Sequence, residues 1–237
     1  MARKAQDSKV PVEGGGAQAV DSFLKRVAAV PKRAGGGRGR LIFAMDATAS
    51  REPTWDRACH IQGQMFEATD SLGGLEVQLV FYRGFGECKA SPWVASSKDL
   101  VRRMTAVSCL GGHTQIGRVL AHAVKETRKK RVDALVFVGD AMEEDVDDLS
   151  HAAGQLGLLG VPAFIFHEGH DPVAARGFRQ LAKLTKGAYC AFDAGSAEQL
   201  RALLEAVAVY AAGGRPALED LSRQKGGVVR LLTSDLG

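Results

Sequence analysis

The chain reads as an α/β fold in three layers, with a mostly parallel sheet covered by helices on both faces. Two observations predict it: short apolar runs bounded by turn residues, and longer stretches of helical periodicity between them. The clearest run is Leu41-Ile42-Phe43-Ala44-Met45, and the segments Ala134-Leu135-Val136-Phe137-Val138 and Val161-Pro162-Ala163-Phe164-Ile165-Phe166 have the same pattern. A strand apolar at every position is buried on both faces, the condition of strands inside a parallel sheet. Helical periodicity predicts helices near 53–70, 97–107, 116–130, 145–158, 172–185 and 196–212. Glu76 to Tyr82 and Cys88 to Val94 read as two strands joined by the Gly84-Phe85-Gly86 turn, so one edge strand runs antiparallel. A last short strand fits near Tyr189. In such sheets ligands bind beyond the carboxyl ends of the strands, where the strand order reverses.

The 237 residues, 46% hydrophobic, supply a sizeable core for one large domain. No run approaches the ~20 apolar residues of a membrane helix. The start MARKAQDSKVPVEGGG has no apolar segment behind its basic residues, so a cytoplasmic protein without membrane partners is expected. Cys59, Cys88, Cys109 and Cys190 are widely spaced, which predicts reduced, structural thiols. Charge is uneven. Residues 1–40 hold nine Lys/Arg against three Asp/Glu, and the remainder 22 against 24. The basic pI therefore belongs to an N-terminal arm, which lacks the interleaved aromatics and motifs of a nucleic-acid binder.

Within that arm, residues 1–17 are polar and Gly-rich, whereas Val20, Phe23, Leu24, Val27 and Ala28 recur at helical spacing before Pro31. An unpaired apolar stripe would be a liability, so this helix is expected to pack on the main body. Gly35-Gly36-Gly37-Arg38-Gly39 reads as a linker. The expected organisation is a basic flexible arm with a short amphipathic helix over 1–37, the main domain over 38–212 and a tail over 213–237. The tail ends in Val228-Val229-Arg230-Leu231-Leu232, which can dock as a strand or fold with a partner.

Chemistry concentrates at three strand ends. Asp46-Ala47-Thr48-Ala49-Ser50 follows the first buried strand and places oxygen-bearing side chains at alternate positions of one loop. Carboxylates and hydroxyls are hard donors, suited to Mg²⁺ or Mn²⁺. Ser50 capping the next helix is the plainer reading of the same residues. Thr114 follows Gly111-Gly112-His113 and precedes a helix, so it is either a loop donor or a cap. Asp140 follows Gly139 at the end of another strand, as a second carboxylate at the site or as a turn residue.

With these three pieces in place, the sequence resembles a von Willebrand factor A (VWA) domain of bacterial intracellular type over roughly residues 38–212. It has a DxTxS variant of the family's DxSxS motif, then a Thr after a Gly-rich loop, then an Asp after a later apolar strand. The resemblance implies a Rossmann-like α/β/α fold and a metal-ion-dependent adhesion site made by Asp46, Thr48, Ser50, Thr114 and Asp140. It implies that Thr48 and Ser50 bind the ion directly, Thr114 directly or through water, and the two aspartates mainly through water. It also implies a binding function, in which an Asp or Glu of a partner protein completes the shell of Mg²⁺ or Mn²⁺. Adaptor roles beside chaperones or AAA+ machines are the corresponding expectation. Thr48 departs from the more frequent Ser, but its hydroxyl is an equivalent donor.

Other polar residues have plainer roles open to them. Glu143, Glu144 and Asp145 suit a helix N-terminus or waters around the ion. His167 and His170 form an HxxH, yet no third ligand accompanies them, which predicts loop histidines and no zinc. His113 either shapes the site entrance or is simply exposed. The alternative function is a Mg²⁺-dependent phosphohydrolase, since an Asp after the first strand is also a nucleophile's position in dehalogenase-like folds. Those enzymes want a second Asp two residues on, where this chain has Thr48, and no catalytic residue is expected.

Overall fold

The computed structural model describes residues 22–23, 25–27, 38–52, 75–192, 202–213 and 216–217. Its strands are β1 (Gly39–Asp46), β2 (Leu75–Arg83), β3 (Glu87–Ala90), β4 (Ala134–Gly139), β5 (Ala163–Glu168) and β6 (Ala188–Phe192). They form one sheet in the order β3-β2-β1-β4-β5-β6, parallel throughout except for β3 at the edge. The helices are α1 (Ser97–Thr105), α2 (Ile116–Lys129), α3 (Val146–Leu158) and α4 (Pro172–Leu184), and residues 202–213 are also helical.

Alternation of side chains along a strand explains the continuous apolar runs. In β1, Leu41, Phe43 and Met45 enter one core cluster, whereas Ile42 and Ala44 enter the other. The first cluster includes Leu203, Leu204, Val207 and Tyr210. Phe23 and Val27 lie in the same cluster, with the Phe23 ring 5.2 Å from that of Phe166 and 6.0 Å from that of Phe164. The second cluster takes Ile116 and Leu120 from α2, Leu149 and Leu156 from α3, and Phe178 and Leu181 from α4. No strand face of the central sheet is left for solvent, as a parallel sheet requires.

Helix starts follow local chemistry. The side chains of Asp145 and Asp171 accept the first backbone N–H groups of α3 and α4, and Pro172 opens α4. The hairpin's second strand is shorter than expected and ends at Ala90. Pro92 has no N–H to give, and Val94 rejoins the sheet through a single bridge to Val77. Strand β5 begins at Ala163, two residues later than the apolar run. The helix expected over 53–70, Leu24, Cys59 and the C-terminal run from Val228 lie outside the described residues. Cys88, Cys109 and Cys190 carry free thiols, and burial pushes that of Cys190 up to about 11.

From β1 the chain adds β2 and β3 on one side and β4, β5 and β6 on the other. The order therefore reverses between β1 and β4. Met45 pairs with Val138, so the next residues along each strand, Asp46 and Gly139, stand side by side at that switch point.

Candidate metal centre

Asp46 is the last residue of β1 and is completely buried. Its Oδ1 accepts the Thr48 N–H at 2.7 Å, and its Oδ2 accepts the Tyr82 hydroxyl at 3.0 Å. Burial is the main influence on this carboxyl and pushes its pKa up. Hydrogen bonds from Thr48 oppose the shift, and the nearby charge of Asp140 adds to it. Tyr82, buried and beside Asp46, is held well above the ordinary phenol range and remains a donor.

The loop after Asp46 is fixed by its backbone. The Ala47 N–H donates to the Tyr82 carbonyl at 2.9 Å, and the Ala47 carbonyl accepts from Leu110 N at 3.0 Å. A short 3-10 turn, Ala49–Arg51, follows with Thr48 at its N-cap, but the Thr48 side chain makes no capping bond. Instead the Thr48 and Ser50 hydroxyl oxygens lie 3.0 Å apart. Ser50 sits inside this turn, exposed at the rim, so neither hydroxyl caps it.

Asp140 leaves β4 immediately after Gly139. A Cβ placed on Gly139 would stand 3.6 Å from the Cβ of Asp46, which measures how close the two strand ends run. Oδ1 of Asp140 is buried and has no hydrogen-bond partner. Buried polar atoms are seldom left so, and each such atom calls for an explanation. A buried carboxyl pushed up in part by a neighbouring carboxylate, a second carboxylate with an unsatisfied oxygen, and two hydroxyls bonded to each other supply the oxygen donors that a hard divalent cation takes.

Thr114 joins this corner through the segment that Asp140 begins. Its hydroxyl donates to Glu144 Oε2 at 2.6 Å and accepts from Glu143 N at 3.0 Å, while Thr114 N donates to Glu143 Oε2 at 2.8 Å. Thr114 is not a cap either. Gln115 holds the N-cap position of α2 without a side-chain bond, and Glu144 Oε1 accepts the Gly117 N–H from across the loop at 2.9 Å. Asp145 does cap α3, so of the three acidic residues only Asp145 has the helix-start role alone.

Two residues of this corner escaped the reading of the sequence. Tyr82 is aligned with Asp46 by the β1-β2 register, which a sequence does not display. Arg51, almost fully buried, forms an ion pair with Glu168 at the end of β5; burial lowers its pKa, and the charges of Asp140 and Asp46 oppose that shift. Its position directly after Ser50 was the available signal. His113 is exposed, 3.2 Å from Glu143 Oε2. His167 is buried with both ring nitrogens engaged, and His170 is exposed, so the HxxH does not converge. Among the described residues no group of three or more His, Cys, Asp or Glu side chains is placed to hold a metal, so any site in this corner draws on hydroxyls.

Comparison with known proteins gives no match to a family model and none among curated sequences. Solved structures do match. Proximal thread matrix protein 1 from the mussel byssus superposes with a TM-score of 0.57 at 19% identity, covering 73% of this chain and 48% of that protein. This chain thus spans about half the length of the mussel protein. The VWA domain of SpRpn10 matches with a TM-score of 0.56 at 12% identity, over 76% of this chain and 98% of that domain. A manganese-loaded TRAP protein from Plasmodium vivax matches with a TM-score of 0.51 at 11% identity, over 70% of this chain and 73% of that one. The mussel protein has also been solved with zinc in its adhesion-site motif. Sheet order, helix placement and these likenesses agree that the chain has the fold of a von Willebrand factor A domain.

Proposed function

We propose that this protein is a cytoplasmic adaptor whose VWA domain binds a partner protein through a divalent cation, Mg²⁺ or Mn²⁺, held by Asp46, Thr48, Ser50, Thr114 and Asp140. The observation that carries the reading is the buried, unpartnered Oδ1 of Asp140 beside the buried Asp46 carboxylate and the Thr48 and Ser50 hydroxyls. The zinc-occupied and manganese-loaded states of two neighbours support it by analogy of fold.

Neutral hydroxyls leave most of an ion's charge uncompensated, so an ion held this way offers an incoming carboxylate both a bond and a strong electrostatic attraction. The chain's own part is to position these donors. Tyr82 and the Thr48 N–H orient the Asp46 carboxylate, and the Glu144 carboxylate accepts the hydrogen bond of the Thr114 hydroxyl and so fixes its orientation. The partner is then a protein that presents an Asp or Glu, with chaperone or AAA+ assemblies as the partner class to examine first.

Thermal melts with and without Mg²⁺ test the ion. At a hundredfold excess over Kd, binding to the folded state alone stabilises by about 2.7 kcal/mol. The wild type should gain this and Asp46→Ala should not. Equal shifts in both proteins sink the site. Affinity purification with wild type and Asp46→Ala, in Mg²⁺ and in EDTA, then isolates the partners that depend on it.

A further inference from the structure

Next to the metal loop the surface carries two large apolar side chains without cover. Phe85 is 83% exposed and Leu110 is 53% exposed. Single exposed apolar residues are ordinary on protein surfaces, so exposure decides nothing by itself. What sets this pair apart is a backbone built to hold both against the loop of Asp46. Leu110 N donates to the carbonyl of Ala47, between Asp46 and Thr48, and the Leu110 carbonyl faces the Gly84 N–H at 3.4 Å. His113 N donates to the Gly84 carbonyl at 3.3 Å.

The hairpin turn itself depends on glycine. Gly84 has φ of 59°, in the left-handed region, and a side chain on Gly112 would collide with the Gly84 carbonyl. Arg118 Nη1 holds the other side of the turn through the Gly86 carbonyl at 2.5 Å. The Phe85 ring stands edge-on to His113 at 5.2 Å, one residue before Thr114. The two apolar side chains therefore adjoin the loop of Asp46, through Leu110 and Ala47, and the loop of Thr114, through Phe85 and His113. Of the other exposed apolar side chains, Leu158, Leu159 and Leu184 lie at the C-terminal ends of α3 and α4, and Val173 lies in the first turn of α4.

We propose that Phe85 and Leu110 form an apolar shoulder that receives a large hydrophobic side chain of the same partner segment whose acidic residue meets the metal. The inference rests on the metal-dependent reading above and adds a recognition rule to it. Acidic side chains cover most protein surfaces, so an ion that meets a carboxylate discriminates poorly, and selectivity requires a second contact. Because Leu110 is hydrogen-bonded to the residue after Asp46, the two contacts are close. At ~3.3 Å of extended chain per residue, the apolar side chain falls about one to three positions from the acid. Electrostatic attraction draws the acid to the ion, and burial against Phe85 and Leu110 selects the acids with the right neighbour.

The test uses a displayed heptapeptide library with a fixed central Asp or Glu and random flanks, selected on the full chain in Mg²⁺ and in EDTA. Wild type in Mg²⁺ should enrich Phe, Leu, Ile, Met or Trp near the acid. The best peptides should bind Phe85→Ser/Leu110→Ser about ten- to a hundredfold more weakly. Because both side chains are exposed, the double variant should fold and keep its Mg²⁺-dependent rise in melting temperature. Acid-containing peptides selected without an apolar neighbour, or bound equally well by the double variant, overturn the shoulder and leave the metal reading standing. Selection that is the same in EDTA overturns the metal reading, and the pairing of acid with apolar residue falls with it.

Discussion

Two corners of the same sheet edge carry the residue types that bind metals, and the protein uses them differently. At the ends of β1 and β4, Asp46 and Asp140 stand close together, with one carboxylate oxygen unpartnered and the Thr48 and Ser50 hydroxyls bonded to each other. At the end of β5, His167 is buried and both its nitrogens are engaged. Nε2 donates to the Asp140 carbonyl at 3.2 Å, and Nδ1 accepts from the Tyr189 hydroxyl at 2.9 Å. Burial pushes its pKa down, so the ring is neutral and acts as a strut between β5, β6 and the loop after β4. Residue type nominates a ligand, but donor capacity left over after the protein's own bonds decides whether it is one.

The contrast is sharpest under mutation. His167→Ala leaves the Tyr189 hydroxyl and the Asp140 carbonyl without their partner and opens a cavity against Phe178, whose ring centroid is 5.2 Å away. It should cost about 3 kcal/mol of stability in EDTA. It should nevertheless keep most of the Mg²⁺-dependent rise in melting temperature, because it removes a strut and not a ligand. A variant that melts like wild type in EDTA but no longer responds to Mg²⁺ would reverse the two assignments.

Asp46→Asn should behave in the opposite way. It should lose the ~2.7 kcal/mol of Mg²⁺ stabilisation at a hundredfold excess over Kd. In EDTA it should melt at or above the wild-type temperature, since a buried charge facing Asp140 has been removed. Denaturant melts of both variants in Mg²⁺ and in EDTA check the pair.

Glu144→Gln is predicted to have a smaller effect. The amide preserves the shape around Thr114 but replaces a charge-assisted hydrogen bond with a neutral one, a difference of about 1 kcal/mol. Part of that should show as weaker Mg²⁺ affinity by calorimetry. An unchanged affinity would reduce Glu144 to a cap for α2.

The smallest effect is the pH dependence. Asp46 has a folded-state pKa raised above its ordinary 3.8. Its contribution to the stability of the metal-free protein is therefore fully present below that value and is lost as pH rises through the raised one. Cation binding needs the ionised form, so the Mg²⁺-dependent gain should grow as pH rises above the ordinary carboxylate range and through the raised value. Melts across that rise in pH, with wild type compared with Asp46→Asn, separate this carboxyl from the other acids. A gain that is flat with pH would remove Asp46 from the proton linkage.

Much of the framework was legible because it rests on local periodicity. Leu41 to Met45 and Ala134 to Val138 are apolar at every position since both faces of their strands meet helices, and that condition is written in composition alone. The edge hairpin was legible from Gly84-Phe85-Gly86, whereas its length was not, because Pro92 stops the ladder only once register is known. Phe23 and Val27 carried their helical spacing in the sequence, but their place against Phe164 and Phe166 did not.

By itself the sequence determined the layered α/β architecture, the loop DATAS at the end of the first strand and the hard-donor character of Asp46, Thr48, Ser50, Thr114 and Asp140. The tertiary structure alone decided which groups meet. Register put Tyr82 on Asp46, strand order put Asp140 beside it, and a loop contact spanning thirty residues put Glu144 on Thr114. It also brought Arg51 to Glu168 and closed both nitrogens of His167. The physical reason is range. Hydrophobic periodicity and turn chemistry act over a few residues, whereas hydrogen bonds and charges between distant segments exist only after the sheet has set their spacing.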